Sequence, residues 1–176
     1  MIFDALRRRG NPTNAWDRVA DLSLTVELLS PAINTVTIES RLDQLEFLGR
    51  SSSAFHSPLL FADLGLVIDN EPDGTFSGFS VVLQDVDGEL APFAGTLTVN
   101  GVAIVPTDLL TALGEPYWVD TDEHEILTFF EYPTHEIQVE QSLDHVLQRV
   151  IVTSQPLLAD AQCREDYGVD KPWPPT

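Results

Sequence analysis

Basic residues are scarce in this chain. Nine lysines and arginines stand against 28 aspartates and glutamates over 176 residues, a formal net charge of −19 and a pI near 4.2. A field of that sign repels nucleic acid and anionic membranes, and it steers cationic partners into encounter. Cysteine is nearly absent: Cys163 stands alone, which excludes an intramolecular disulfide and a cysteine zinc cluster. No stretch approaches the ~18 consecutive apolar residues of a membrane span. The N-terminal MIFDALRRRG has no apolar run suited to a signal-peptide core. A reducing cytoplasm is the expected compartment.

Several catalytic signatures are missing as well. There is no phosphate-binding glycine loop and no dinucleotide fingerprint, and His135-Glu136 is followed by Ile137-Gln138-Val139, not a zinc-helix pattern. Ser51-Ser52-Ser53 lies near His56, yet no G-x-S-x-G elbow surrounds it. Neither a cofactor nor a resident metal is expected, and a small-molecule ligand fits poorly.

What is present is a core. Hydrophobic residues make up 43%, with nine Phe, three Trp and three Tyr, and mean hydropathy is zero. That composition belongs to a folded chain and not to an acidic disordered tail. The charge is uneven. Arg7, Arg8, Arg9 and Arg18 outnumber Asp4 and Asp17 in the first 18 residues, leaving −21 on the rest.

The chain repeats itself. RLDQLEFLG at 41–49 and PTDLLTALG at 106–114 each read as a short helix closed by Leu-Gly. Ser40 with Asp43 resembles a capping box, and Thr107 suits an N-cap. Upstream of the first helix, LSLTVELL and NTVTIES alternate with period 2. Upstream of the second, TLTV and VAIV flank Asn100-Gly101, a hairpin signal because both turn positions favour positive φ. Downstream, LVIDNEPDGTFSGFSVV from Leu66 overlies IQVEQSLDHVLQRVIVT from Ile137 at a constant offset of 71, with turns at Asp73-Gly74 and Asp144-His145. The helix-closing Gly49 and Gly114 are offset by 65, a six-residue insertion after the second helix. Each half therefore predicts a hairpin, a short helix and a meander of about three antiparallel strands.

After the repeat, Pro156 opens LLADAQCREDY and Gly168 ends it, the pattern of a terminal helix whose Leu157, Leu158, Ala161 and Tyr167 face the sheet. Proline excludes helix from the tail Lys171-Pro172-Trp173-Pro174-Pro175, and Trp173 is expected to pin it to the body.

The predicted class is α+β: two similar halves, each a short helix packed on an antiparallel sheet, plus a C-terminal helix. The segments run 1–19, 20–90 (first half), 94–154 (second half) and 155–176, in one compact unit.

One cluster invites chemistry. Asp120, Asp122, Glu123, His124 and Glu125 place four carboxylates and an imidazole within six residues, and alternate strand positions share a face. A metal-dependent hydrolase is one reading, a solvated loop the simpler one. Asp69, Glu71, Asp73 and Gly74 imitate the start of a calcium loop, but its twelfth position is Ser80 where a bidentate Glu is required.

The stretch from LLTALGEPYWVDTDEHEILTFFEY through VLQRVIVTSQPLLAD to the PWPP tail resembles small bacterial immunity-type proteins encoded beside polymorphic toxins. The duplicated helix-and-meander layout resembles that of beta-lactamase inhibitor proteins and related outer-membrane assembly lipoproteins. The chain departs from both by lacking a lipobox cysteine and disulfides. The first resemblance implies a non-catalytic protein that neutralises a cognate toxin or effector by stoichiometric binding. An adaptor or chaperone for a secreted effector is the alternative. Charge adds that such a partner is basic. Hot spots combine aromatic anchors with surrounding polar groups, and Tyr117, Trp118, Asp120, Asp122, Glu123 and Glu125 fit that description. The loop from Ser51 to Phe55 is their counterpart in the first half.

Overall fold

The computed structural model describes residues 10–84 and 88–175. The basic run Arg7–Arg9 lies outside the described residues. Two sheets are built. The smaller has five strands in the order β3-β2-β1-β7-β8: β1 (Thr25–Glu27), β2 (Ala32–Ile33), β3 (Val36–Thr37), β7 (Thr96–Val99) and β8 (Val102–Ile104). The larger has seven in the order β4-β5-β6-β12-β11-β10-β9: β4 (Leu59–Phe61), β5 (Leu66–Asn70), β6 (Phe76–Val82), β9 (Trp118–Thr121), β10 (Glu125–Glu131), β11 (Glu136–Ser142) and β12 (Leu147–Thr153). Both sheets are shared between the halves, through β1 with β7 in parallel and β6 with β12 antiparallel.

The offset of 71 is structural. Ser80 pairs with Ile151, its own equivalent, while Phe79 pairs with Val152 and Val81 with Val150. Antiparallel pairing of equivalent residues requires a local dyad normal to the sheet at Ser80–Ile151. Irregular features obey it too. The register shifts between Asp69 and Asn70 in β5 and again between Glu140 and Gln141 in β11. The bulged residues Ser77 and Gln148 offer their carbonyls to Ser154 and Leu83, 71 positions apart once more. Bulges re-aim strands and are retained as built features.

Period-2 alternation buries one face of the large sheet. Ile68, Phe79, Val81, Ile137, Val139, Val150 and Val152 are all fully buried. They join Val26, Ile33, Leu97 and Val99 of the small sheet and Leu45, Leu48, Leu109 and Leu113 of the helices in one cluster. Each fully buried aliphatic or aromatic side chain contributes about 1.5–3 kcal/mol of hydrophobic burial.

The turns follow the sequence signals. Asn100 and Gly101 have φ of 53° and 73°, and Gly74 and His145 also adopt positive φ. Glu27, from the first half, accepts both turn amides of Asn100 and Gly101 at 3.0 and 2.8 Å, so the second half's hairpin is tied to the first.

Several local expectations are corrected. The first helix is a 3-10 helix, Leu42–Leu48, with Arg41 as N-cap and no side-chain cap. Asp43 binds the Arg41 guanidinium instead of capping with Ser40, whose hydroxyl meets Thr37. Thr107 does not cap either: it lies inside a 3-10 turn, Pro106–Asp108, that leads into the α-helix Leu109–Leu113. NTVTIES is broken because Asn34, at φ 54°, turns β2 into β3. The second meander has four strands, the extra β9 pairing with β10. The terminal helix divides at Asp160 into a 3-10 turn (Leu157–Ala159) and an α-helix (Ala161–Asp166). Asp160 is extended at ψ 131°, and its side chain caps Gln162 and Cys163. No helix among the described residues is long and apolar enough to cross a membrane.

Candidate functional site

The face of the large sheet turned away from the core, here the outer face, carries the predicted residues. Strand register lays one row across all seven strands: Leu60, Val67, Ser80, Ile151, Gln138, Phe129 and Trp118. On one side of it run Asp69, Gly78, Thr153, Glu136 and Glu131; on the other, Val82, Arg149, Glu140, Leu127 and Asp120.

The two ends of this face are finished differently. Over the second half, the C-terminal segment forms a strap. Leu158 is fully buried, and Tyr167 meets the fully buried Phe129 edge-on at 5.3 Å between centroids. Trp118 Nε1 donates to the Tyr167 carbonyl at 3.1 Å. The Tyr117 hydroxyl donates to the carbonyls of Lys171 and Pro172, both at 3.1 Å, and Lys171 Nζ returns a bond to the Tyr117 carbonyl at 2.7 Å. Both predicted aromatic anchors therefore hold the chain's own tail. Beside them a cleft of about 520 Å³ is lined by Leu113, Tyr117, Phe130, Glu131, Tyr132 and Pro172, among others.

Asp120 and Glu125 share the outer face next to Tyr167. Burial raises the Tyr167 phenol, and the negative charges of Asp120, Glu125 and Glu136 add to the effect. Asp122 lies at the tip of the β9–β10 hairpin, where it accepts the amides of His124 and Glu125 at 2.6 and 2.9 Å. Those bonds hold its carboxyl below the usual range. Glu123 and His124 form an exposed contact at 3.4 Å. Asp120, Asp122 and His124 do not converge: among the described residues no group of three or more His, Cys, Asp or Glu is placed to hold a metal ion. In the first half, Ser51 is buried on Thr13 and Asn11, so part of the Ser51–Phe55 loop is structural.

The sequence reading missed a buried acid pair. Glu131 and Glu136 face each other across β10 and β11. Glu136 is fully buried, receiving the Gln138 amide and the Leu158 backbone N–H. Both Glu131 oxygens are buried without a conventional donor. Burial, reinforced by Glu136, pushes the Glu131 carboxyl up to about 9, so at neutral pH it is protonated. His135 stacks on Tyr132 at 4.7 Å, and burial lowers its imidazole to about 4. Glu131-x4-Glu136 around Pro133 was the visible signal: a hairpin loop of that length puts the two acids opposite one another.

A second missed feature is the pair Glu140–Arg149, 3.0 Å apart and opposite each other on β11 and β12. Arg149 stands in the same cross-strand row as Asp120, and among the described residues Glu140 is its ion-pair partner.

No protein-family model matches this chain, and a comparison with curated proteins gives no match. One solved structure, a DUF4309 family protein (YjgB) from Bacillus subtilis, is similar at 14% identity and a TM-score of 0.45, over 70% of this chain and 84% of that one. A likeness of that size carries no functional argument.

Proposed function

We propose that this protein works by stoichiometric binding of a basic protein partner, as an immunity-type inhibitor of a toxin or effector in the cytoplasm of the cell that makes it. The observation that carries the reading is the distribution of charge at one end of the large sheet. Asp120, Asp122, Glu123, Glu125 and Glu140 gather there on β9, β10, β11 and the connecting turn, against Arg149, which Glu140 already engages. Such a surface matches a cationic cleft and accelerates encounter with it. Tyr117 and Trp118 then act indirectly, by holding the strap that borders this surface.

The test is capture of partners from the producing cells on the tagged chain, followed by association kinetics at rising salt. One basic protein at one-to-one stoichiometry, with an on-rate that falls steeply as ionic strength rises, supports the reading. Recovery of no protein overturns it. An adaptor or chaperone is the second reading, favoured by an apolar groove of about 520 Å³ among Leu83, Pro106, Leu110, Val146 and Leu147. Its partner would hold on at high salt.

A further inference from the structure

The local dyad allows each half to be read as a control for the other. Glu140 in β11 and Asp69 in β5 are equivalent, each lying just before a bulge and each on the outer face. Opposite Glu140 stands Arg149, and the pair is neutralised at 3.0 Å. Opposite Asp69 stands Gly78, the residue equivalent to Arg149. Among the described residues the Asp69 side chain has no hydrogen bond and no ion pair. Burial, then the nearby charge of Glu71, raises its carboxyl above the ordinary range. Glu71 is held close by a 2.8 Å bond from Gln155 Nε2. The first half thus repeats the acid and omits its counterion.

Position 78 is unsuited to supplying that counterion. A Cβ on Gly78 would lie 2.6 Å from the Val152 carbonyl oxygen, closer than real Cβ atoms come. Asp69 itself stays partly exposed, as do Leu60, Val67 and Ile151 along the adjacent row.

We infer that the outer face beside Asp69 receives an arginine side chain from a basic protein partner, in the place that Arg149 takes beside Glu140 in the other half. This rests on the reading that the partner is basic, and it adds where on the first half one of its side chains is seated. The planar guanidinium is the group with precedent in the dyad-related position. It pairs with a carboxylate through two parallel bonds and sheds water more readily than an ammonium. The apolar flanks of Val67 and Ile151 suit the stem of such a side chain.

The probe is a capped nonaarginine peptide, with nonalysine of the same length beside it. Binding is followed by anisotropy for the wild type, D69N and D144N, the last removing an exposed turn carboxylate of equal charge. The Asp69 side-chain carboxyl carbon is followed by NMR in the wild type. The expected result is a loss of about tenfold for D69N with nonaarginine, since a charge-assisted bond is removed. D144N should stay within about twofold, weaker binding of nonalysine should accompany this, and the Asp69 carboxyl signal should shift saturably. Equal losses in D69N and D144N, or an Asp69 signal that does not move, overturn the site while leaving the basic-partner reading intact. Equal binding of nonalysine overturns arginine as the occupant. Absence of any peptide binding also overturns the site, and partner capture then judges the broader reading independently. If D69N folds poorly, the wild-type carboxyl titration decides alone.

Discussion

The two ends of the large sheet's outer face are related by the local dyad but finished differently. In the second half Phe129, Glu136 and Trp118 lie under or against a C-terminal strap, and Arg149 neutralises Glu140. In the first half Leu60 stands for Phe129, Gly65, packed against Ala91 and Phe93, for Glu136, and Asp69 faces Gly78; β4 is the edge strand there, so Trp118 has no counterpart. An antiparallel sheet needs burial on one face only, so either finish is compatible with the core beneath. The covered end is stabilised by the chain itself, whereas Leu60, Val67 and Ile151 at the other end stay partly exposed.

The largest expected effect breaks the covered side. Phe129→Ala should cost about 3–5 kcal/mol because a fully buried ring and its contact with Tyr167 are lost. Its dyad mate, Leu60→Ala, sits partly exposed and should cost about 1 kcal/mol or less. Denaturant unfolding of the two variants measures the asymmetry directly, and equal losses would mean the first half's face is also covered. Next comes Leu158→Ala, expected to cost about 2–5 kcal/mol. It should free the strap, seen as faster amide exchange from Leu157 to Lys171 with β4 to β6 unchanged.

The acid pair sharpens the comparison through pH. Glu131 has a folded pKa near 9, above the unfolded value of 4.5. Its contribution to stability is full below pH 4.5 and is lost as pH rises toward 9, because over that window the native state holds a proton that the unfolded chain has released. His135, lowered to about 4 from 6.5, acts oppositely: its contribution is present above 6.5 and lost as pH falls toward 4. Between pH 6.5 and 9, Glu131→Gln should flatten the decline in stability and raise it at the upper end, read from melting temperatures at each pH. A decline that is unchanged in the variant would show that Glu131 ionises normally. The smallest effect concerns the tie between halves. Glu27→Gln leaves one of the Asn100 and Gly101 amides facing an NH2 group and the other with a neutral acceptor, and should cost about 0.5–1.5 kcal/mol by denaturant unfolding.

Much of this architecture was legible as text. The offset of 71, the Asn100-Gly101 and Asp73-Gly74 turns, and the period-2 strands are local signals, and local signals survive in a sequence. Helix details were less legible. Arg41 out-competed Ser40 for Asp43, and the cap residues have no tertiary marker. The Tyr117–Trp118 pair was visible, but its occupant was not, since Tyr167 and Lys171 lie about fifty residues downstream. Asp69 and Glu140 were aligned in the repeat all along. Their unequal partners came into view only with the cross-strand register.

By itself the sequence determined the net charge, the duplicated order of hairpin, helix and meander, and which face of each strand is apolar, because composition and alternation are properties of neighbours along the chain. The tertiary structure decided how the halves meet, at Ser80–Ile151 and through β1 with β7. It also decided which acids are buried against each other, and which end of the sheet the strap covers. Those depend on contacts between residues tens of positions apart, whose geometry is set only when both sheets close on one core.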